Sequence, residues 1–343
     1  MMKNGIVIAV LALLSGALLF LSVCPSVSGA EEKATVLRYS SMFPAPHRQS
    51  QVISEWLKEV EKRTNGRVRV TVYPGGLLTP PVQTYDSVIR GIADIGLADA
   101  AYTRGRFPLT EVVSLPLGFK SAIQATHMTN AFYDKFKPKE WDEVKVLYFY
   151  SHGPGMLHSK RPVSKMEDIK GLKIRCQGVA VKIAKALGGS PVGMPMNEAY
   201  DSLSKGVVDG ILCPMEAMKG WKLAEVVGFH TLNYGTSYTS AHFVVMNKAK
   251  WNSISHEDQK AIEKINEEWI GREGKAWDEI DKEGLEAIHA RGDKLISLTK
   301  EEEARWEAQM RPILDDYVKE MKAKNLPGDQ VLKFCLDFLK ANR

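Results

Sequence analysis

Two distant stretches of this chain carry the same pattern of residues. Residues 84–97 read TYDSVIRGIADIGL and residues 199–212 read AYDSLSKGVVDGIL, and they match without a gap at Tyr, Asp, Ser, Gly, Asp and Leu. Each stretch is typical of a helix that ends at a basic residue and a glycine, followed by a strand that begins at Asp94 or Asp209. Glycine suits such a helix end because it adopts left-handed backbone angles without penalty. The repeat predicts two similarly built domains.

Alternating strand and helix patterns surround both copies of the repeat. Strands are predicted at residues 35–41, 67–74, 145–151, 172–176 and 240–248, and an amphipathic helix at 49–64. From about Glu257 onward the pattern is mostly helical, with one long helix over 257–292 and another over 299–324 that begins at Thr299. Because strands alternate with helices, we expect α/β domains with parallel-rich sheets.

The amino terminus is typical of a secretory signal peptide. Lys3 precedes an apolar run over residues 6–23, and Ser28 and Ala30 occupy the small-residue positions of a cleavage site. We therefore expect residues 1–30 to be removed and the mature chain to be exported. The alternatives are a retained membrane anchor and a lipid attached at Cys24.

Charge and cysteine content exclude several classes of protein. About 313 residues remain after cleavage, which is enough for two domains with full cores. Without Lys3, the 46 basic and 41 acidic residues leave a net charge of about +4, and no basic block suggests nucleic-acid binding. Beyond the leader, Cys176, Cys213 and Cys335 form neither a disulfide framework nor a metal-binding spacing. We expect no metal and no other cofactor.

Arg175 lies in an apolar run, GLKIRCQG, that is typical of a buried strand. Burying an unpaired guanidinium is costly, yet the nearest acids in the sequence are Asp168 before the run and Glu198 after it. In open α/β sheets, ligands collect beyond the carboxyl ends of strands. Residues 98–100 and 213–216 follow the two repeated strands. If the two domains face each other, both segments and Arg175 border one cleft.

Seven segments, in this order and spacing, make the chain resemble the extracytoplasmic solute-binding proteins of TRAP (tripartite ATP-independent periplasmic) transporters. They are LRYSSMFPAPH (37–47), VYPGGLL (72–78), IRGIADIGL (89–97), SLPLGF (114–119), RPVSKMEDIKGLKIR (161–175), MPMNEAYDSLSKGVVDGI (194–211) and VVMNK (244–248). The resemblance implies a periplasmic protein of two α/β domains, hinged by crossing strands and bridged by a long helix. The domains are expected at residues 31–152 plus 243–280 and at 153–242 plus 281–343.

The resemblance also implies a function and a site. Such proteins close over a small organic carboxylate and deliver it to membrane permease subunits, and the arginine of the GLKIR motif typically forms a bidentate salt bridge with the carboxylate. Arg175 matches that arginine, and planar guanidinium geometry suits two carboxylate oxygens. The alternative is an arginine paired with an acid of the opposite domain. The candidate ligand-binding residues are Arg175, Cys213, Met215, Glu216, Tyr238, Phe43, His47, Tyr102 and His152.

Two departures from the family pattern bear on the ligand. Many members carry an asparagine before the proline that follows VDG, where this chain has Cys213, and many carry a second arginine where this chain reads SHGPGMLHS (151–159). The loss of a cation and an amide disfavours dicarboxylates and sugar acids. Apolar or aromatic walls would come from Phe43, Tyr102, Met215 and Tyr238, unless these are core residues. We expect a monocarboxylate with an apolar or aromatic body.

Two other functions are the alternatives to solute binding for transport. An enzyme would need Cys213 as a nucleophile with His152 or His242, but no nucleophile signature surrounds Cys213, and the proline after it lacks an N–H for an oxyanion hole. We therefore expect no catalysis. A ligand-sensing module that acts through a membrane receptor is an open alternative, and Glu216 leaves amino acids open as ligands, although a solvated helix-start glutamate is an equal explanation. We expect a monomer, with the C-terminal helices as a surface that could support a dimer.

Overall fold

Eleven strands and eleven α-helices form in residues 34–342, the part of the chain that the computed structural model describes. The strands are β1 (Thr35–Ser41), β2 (Val68–Tyr73), β3 (Ile95–Asp99), β4 (Val144–Ser151), β5 (Met156–Ser159), β6 (Lys173–Cys176), β7 (Ser190–Gly193), β8 (Gly210–Cys213), β9 (Phe229–Leu232), β10 (Ala241–Asn247) and β11 (Lys294–Ser297). The helices are α1 (Arg48–Arg63), α2 (Thr84–Ile89), α3 (Ala122–Phe136), α4 (Met166–Ile169), α5 (Ala180–Ala186), α6 (Ala199–Ser204), α7 (Ala217–Gly220), α8 (Lys248–Asn252), α9 (His256–Arg291), α10 (Lys300–Ala323) and α11 (Gly328–Ala341). The predicted signal peptide and its cleavage site lie outside the described residues.

The strands form two sheets with the same plan. The first sheet has the order β2-β1-β3-β10-β4, and the second has the order β11-β9-β5-β8-β6-β7. Each contains three neighbouring parallel strands followed by one antiparallel strand, β10 in the first sheet and β5 in the second. The α/β class is confirmed, and the sheets are parallel-rich, with one antiparallel strand inserted in each. We call the part built on the first sheet lobe 1 and the part built on the second sheet lobe 2.

Chain crossings between the lobes explain the antiparallel strands. The chain passes from β4 to β5 through residues 152–155, and it returns from β9 to β10 through residues 233–240. The two crossing segments pair with each other, because the Gly155 N–H donates to the Tyr238 carbonyl at 2.8 Å. These segments match the hinge strands that the resemblance implies.

Helix α9 is the third connection between the lobes. It contains 36 residues and packs on α1, α3 and β4 in lobe 1 and on α7 in lobe 2. In lobe 2 the Asp281 carboxylate of α9 accepts a hydrogen bond from the Glu216 N–H at 2.8 Å. The long bridging helix is therefore confirmed. Within residues 34–342, no helix is both long enough and apolar enough to cross a bilayer.

The sequence repeat forms the same local structure in both lobes. After α2 and α6, the glycine that follows the basic residue has a φ of 72° in both copies. The Asp94 carboxylate then accepts from the Arg38 N–H of β1 at 2.8 Å, and the Asp209 carboxylate accepts from the Lys173 N–H of β6 at 2.9 Å. Each aspartate thus links the start of its own strand to the equivalent neighbouring strand of its sheet, β1 in the first sheet and β6 in the second. The predicted similarity of the two halves is confirmed in these elements.

The apolar cores lie around the two sheets, and one of them extends beyond its own lobe. A cluster around the first sheet includes Trp56 and Trp269, which come from α1 and α9. Another joins lobe 2 to residues 109–132 and to the C-terminal helices, through the fully buried Trp306 and Tyr317 of α10. The C-terminal helices thus contact α3 as well as α5. The exact domain limits proposed from the sequence stay a prediction.

Candidate ligand-binding cleft

A cavity of about 540 Å³ lies between the two lobes. Its wall includes Asp99 at the carboxyl end of β3, and Cys213, Pro214 and Glu216 at the carboxyl end of β8. The structure therefore brings the segments after the two repeated strands to one place, as expected for facing α/β lobes. The crossing segments and α9 complete the wall.

Arg175 is the cation of this wall. Its side chain lies on β6, and only 3% of the residue is exposed. The Nε atom donates to the Met194 carbonyl at 3.0 Å, and Nη2 donates to Gln177 Oε1 at 3.1 Å. Within residues 34–342, Arg175 forms no salt bridge, and its Nη1 has no hydrogen-bond partner. The structure therefore does not contain the direct pairing with an opposite acid that was the alternative explanation, and guanidinium donors stay free for a ligand.

Gln177 links Arg175 to Asp99 of the other lobe. The Gln177 Nε2 donates to Asp99 Oδ2 at 2.8 Å, so its amide oxygen is the atom that faces Arg175. Asp99 Oδ1 accepts from the Ala101 N–H at 2.8 Å and from the Ser240 hydroxyl. Burial raises the pKa of Asp99, although the hydrogen bonds from Ser240 and Ala101 oppose this shift. Asp99 thus helps to fix the orientation of the guanidinium through an intervening amide.

Aromatic side chains dominate the rest of the wall. The described part of the chain contributes seven rings: Phe43, Tyr102, His152, Trp221, Tyr238, His242 and Trp277. The His152 ring is perpendicular to that of Tyr238, at a centroid distance of 5.6 Å, and the His242 ring lies 5.6 Å from that of Trp277. Burial lowers the pKa of His152 to about 4 and that of His242 to about 3, so both are neutral at neutral pH. The cavity is an aromatic pocket with one cationic end.

Seven of the nine predicted site residues line the cavity, and two do not. His47 caps the N-terminus of α1, where its Nδ1 accepts from the Gln49 N–H at 3.1 Å, and its Nε2 donates to Glu216 Oε1 at 2.6 Å. Met215 packs in the core of lobe 2, because the turn after β8 directs its side chain inward, and its carbonyl faces Gly284 of α9. The prediction that His47 and Met215 contact the ligand is therefore wrong as to position, because neither side chain lines the cavity.

Several wall residues were missed by the sequence reasoning. Asp99 was recognised as following a repeated strand but not as a site residue, and Gln177 stands two positions after Arg175. Both carried a usable signal, namely a polar side chain at the carboxyl end of a strand. Trp221, just after α7, and Trp277, in α9, carried none, because a tryptophan that faces a cavity has the same sequence pattern as one that faces the core.

Cys213 has the chemistry of a buried thiol. It is 2% exposed, and burial raises its pKa well above the usual value. A thiolate is the reactive form of cysteine, so a raised pKa argues against a nucleophile here. Neither His152 nor His242 forms a hydrogen bond to Cys213 within residues 34–342.

Comparisons with known proteins identify the family of this chain. The family model described as bacterial extracellular solute-binding protein, family 7, matches residues 39–320. A TRAP solute-binding protein from a marine metagenome, described as specific for aromatic acids, is 30% identical, with 90% of this chain and 99% of that chain covered and a TM-score of 0.86. One from Rhodoferax ferrireducens, solved with copurified benzoate, is 27% identical, with coverage of 90% and 98% and a TM-score of 0.85.

Another relative has a similar sequence identity to this chain but is described as binding a different class of ligand. The C4-dicarboxylate-binding periplasmic protein of Rhodobacter capsulatus is 27% identical, over 89% of this chain and 93% of its own. These relatives bind solutes for transport and do not transform them. The chain, whose sequence matches the family model over most of its length, is not an enzyme and belongs to family 7 of the bacterial extracellular solute-binding proteins, the periplasmic components of TRAP transporters.

Proposed function

We propose that this protein binds a small monocarboxylate with an aromatic body and delivers it to the membrane subunits of a TRAP transporter. The observation that carries the ligand class is the cavity wall, in which seven aromatic rings of the described chain surround a single arginine. Flat apolar rings favour an aromatic ligand body through burial and offset or edge-to-face contacts. Arg175 supplies the bidentate partner for one carboxylate.

The same wall disfavours ligands with two carboxylates or many hydroxyls. A second carboxylate would be desolvated among the rings with no second cation in the described wall, which is costly. The buried Asp99 and Glu216 carboxyls add to that cost. A sugar acid would need several polar partners, but the Ser240 and Thr239 hydroxyls already donate to Asp99 and to the His152 carbonyl.

The relatives support an aromatic acid without deciding it. Two of the similar solved structures hold benzoate or are described as specific for aromatic acids, whereas the relative from Rhodobacter capsulatus binds C4-dicarboxylates. Membership of the family is therefore compatible with either class of ligand. The choice rests on the residues of this cavity.

Closure of the lobes over the ligand is part of the proposal. Two hydrogen bonds between pairs of side chains beside the cavity join the two lobes, His47 to Glu216 and Gln177 to Asp99. Both would break if the cleft opened, and water would then solvate the separated groups. They are the contacts expected of a closed conformation, which we propose the ligand favours because it bridges Arg175 and the rings of lobe 1.

A thermal-shift screen followed by calorimetry tests the ligand class. Benzoate, phenylacetate and mandelate should raise the melting temperature of the mature protein, because they bind the folded state alone. Succinate and glucuronate should not. Phenylglycine tests whether Glu216 accepts an amino group, and it should bind more weakly than mandelate because Glu216 is already paired with His47. Stabilisation by succinate or glucuronate, with none by aromatic acids, would contradict the proposal.

A further inference from the structure

One ring nitrogen in the cavity wall is held as a hydrogen-bond acceptor. The His152 Nδ1 lies 2.6 Å from the Gly153 carbonyl oxygen. A carbonyl only accepts hydrogen bonds, so Nδ1 must carry the proton. In the neutral ring, Nε2 is then an acceptor. Burial lowers the pKa of His152 to about 4, which keeps the ring in this neutral form at neutral pH.

The position of this acceptor is fixed by the surrounding structure. His152 directly follows β4 and is only 6% exposed. Its carbonyl accepts from the Thr239 hydroxyl at 2.6 Å, and its ring packs against those of Tyr238 and Trp277. Within residues 34–342, Nε2 has no hydrogen-bond partner, although the residue lines the cavity. An unpaired polar atom in a buried wall costs free energy unless a ligand or water pairs with it.

We propose that His152 Nε2 accepts a hydrogen bond from a hydroxyl group of the ligand, so that the site selects hydroxylated aromatic monocarboxylates over the unsubstituted acids. This inference rests on the proposed function, since it presumes that Arg175 holds the carboxylate. Arg175 lies on β6 of lobe 2, whereas His152 is the first residue of the crossing segment that follows β4 of lobe 1. A ligand that pairs with both connects β6 of lobe 2 to this crossing segment.

Other polar groups of the wall fit this role less well, and the Nδ1 of His242, which is unpaired in the described part of the chain, is fully buried. Both oxygens of Asp99 already accept hydrogen bonds. Glu216 uses Oε1 for His47 and, as a carboxylate, would favour an ammonium group over a neutral hydroxyl. The Tyr238 hydroxyl is free within residues 34–342, but it both donates and accepts, so it cannot distinguish a hydroxyl from an ether. His152 Nε2 accepts only, and it therefore can.

Matched ligands test the inference on the unmodified protein. Calorimetry would compare benzoate with its three hydroxy isomers and with the corresponding methoxybenzoates, which place an oxygen at the same position but cannot donate. One hydroxy isomer should bind about tenfold more tightly than benzoate and than its own methoxy derivative, as expected when a buried acceptor gains its donor. If hydroxyl groups bring no gain while benzoate binds, this inference fails and the proposed function stands. If no aromatic acid binds, the proposed function fails first.

Variants then assign the preference to one atom. His152→Phe keeps the ring but removes the acceptor, so the hydroxy-over-methoxy ratio should fall to about one while benzoate still binds. His152→Gln can place an amide oxygen near the former Nε2 and should retain part of the ratio. Tyr238→Phe removes the free hydroxyl of the neighbouring ring and should leave the ratio intact, whatever its effect on absolute affinity. A hydroxy-over-methoxy ratio that survives His152→Phe, or that disappears in Tyr238→Phe, would overturn the assignment to His152. If His152→Phe does not fold, the ligand comparison on the unmodified protein still decides whether the site selects a hydroxyl group.

Discussion

Arg175 is the residue on which affinity should depend most, because its charge is buried without a salt-bridge partner in residues 34–342. Arg175→Met should weaken binding of an aromatic acid by roughly 30-fold to several thousand-fold, since a desolvated carboxylate would lose its partner. Arg175→Lys should recover only part of the loss, because an ammonium cannot form the bidentate pair. Calorimetry on both variants measures this effect.

The control for Arg175 separates binding from folding. Arg90→Met removes an exposed arginine at the end of α2 and should change neither affinity nor melting temperature. The ligand-free melting temperature of Arg175→Met should also stay close to that of the unmodified protein. A folded Arg175→Met protein with unchanged affinity for the carboxylate would remove the basis of the proposed function.

Glu273 makes the stability of the protein depend on pH. It is fully buried in α9, and burial raises its pKa to about 8. In the orientation of the Gln49 side-chain amide that satisfies the hydrogen bonding of its neighbours, the nitrogen donates to Glu273 Oε2 at 2.7 Å. The amide oxygen then accepts from Trp277 Nε1 at 2.9 Å. Between pH of about 4.5 and 8 the folded state therefore holds a proton that the unfolded chain has lost. The free energy of unfolding falls as pH rises through this window, by up to about 1.4 kcal/mol per pH unit from this group.

Glu273→Gln should remove that dependence. The amide needs no proton to remain neutral, so the variant should gain stability relative to the unmodified protein as pH rises, on the order of 2–4 kcal/mol between pH 5 and pH 8. Urea unfolding at both pH values measures the difference. Glu267→Gln, on an exposed position of the same helix, is the matched control and should show no gain. Parallel pH profiles for Glu273→Gln and the unmodified protein would contradict the assignment.

At the scale of elements, the crossing segments connect the hinge to the cavity wall. A Cβ atom on Gly155 would lie 2.2 Å from Cε1 of Tyr238, whose ring lines the cavity. Real Cβ atoms do not approach other atoms so closely, so Gly155→Ala should displace the ring. We expect a loss of affinity of about 3- to 30-fold and a lower melting temperature, because the crossing must shift to relieve the overlap.

A double variant tests the route of this effect. Tyr238→Ala removes the ring that the new methyl group would meet, so Gly155→Ala should cost much less in that background than alone. Gly228→Ala is the matched control, since a Cβ there would meet no atom within 4 Å. Additive losses in the double variant would show that Gly155 acts on affinity without Tyr238.

How well elements could be predicted depended on how local their signals are. The repeated helix–glycine–strand units were predicted correctly because periodicity, the glycine and the aspartate act within a few residues. Strands β5, β7, β9 and β11 were missed, since each has only four residues; β7 and β11 also lie at the sheet edges, and β7 contains Pro191 and Gly193. The antiparallel insertion of β5 and β10 was also missed, because it depends on where the chain crosses between lobes.

The same distinction applies to the site. Arg175 could be found because a charge in an apolar run is anomalous wherever the chain folds. His47 was predicted as a ligand-binding residue, but its side chain instead caps α1 and reaches Glu216. The tautomer of His152 depends on a contact with the Gly153 carbonyl that no residue pattern encodes.

At the scale of the molecule, the His47–Glu216 hydrogen bond should act on the balance between open and closed forms. Both side chains are almost fully buried where the lobes meet. His47→Asn keeps a residue that can cap α1 but cannot reach Glu216. The closed form should lose about 1–3 kcal/mol, because the buried Glu216 carboxylate loses a charge-assisted hydrogen bond. Apparent affinity should then fall by about 5- to 150-fold, because less of the protein is in the closed form.

Scattering measurements distinguish this from damage to the cavity. His47 does not line the cavity, so saturating ligand should still close the His47→Asn protein to the radius of gyration of the unmodified one. The helical content should be unchanged, because the cap is retained. A radius that stays large at saturating ligand, or an unchanged affinity, would contradict a role for this pair in closure.

The path of the chain also constrains how the protein can be made. Strand β10 lies between β3 and β4 in the first sheet, yet it comes after all the strands of the second sheet except β11. Until residue 247 is available, β3 and β4 each present an unpaired edge, and the amino-terminal half cannot complete a core of its own. Such non-local pairing folds slowly and exposes edges that invite aggregation. A nascent chain of this topology therefore cannot complete its first sheet until β10, which lies in the last third of the sequence, has been synthesised.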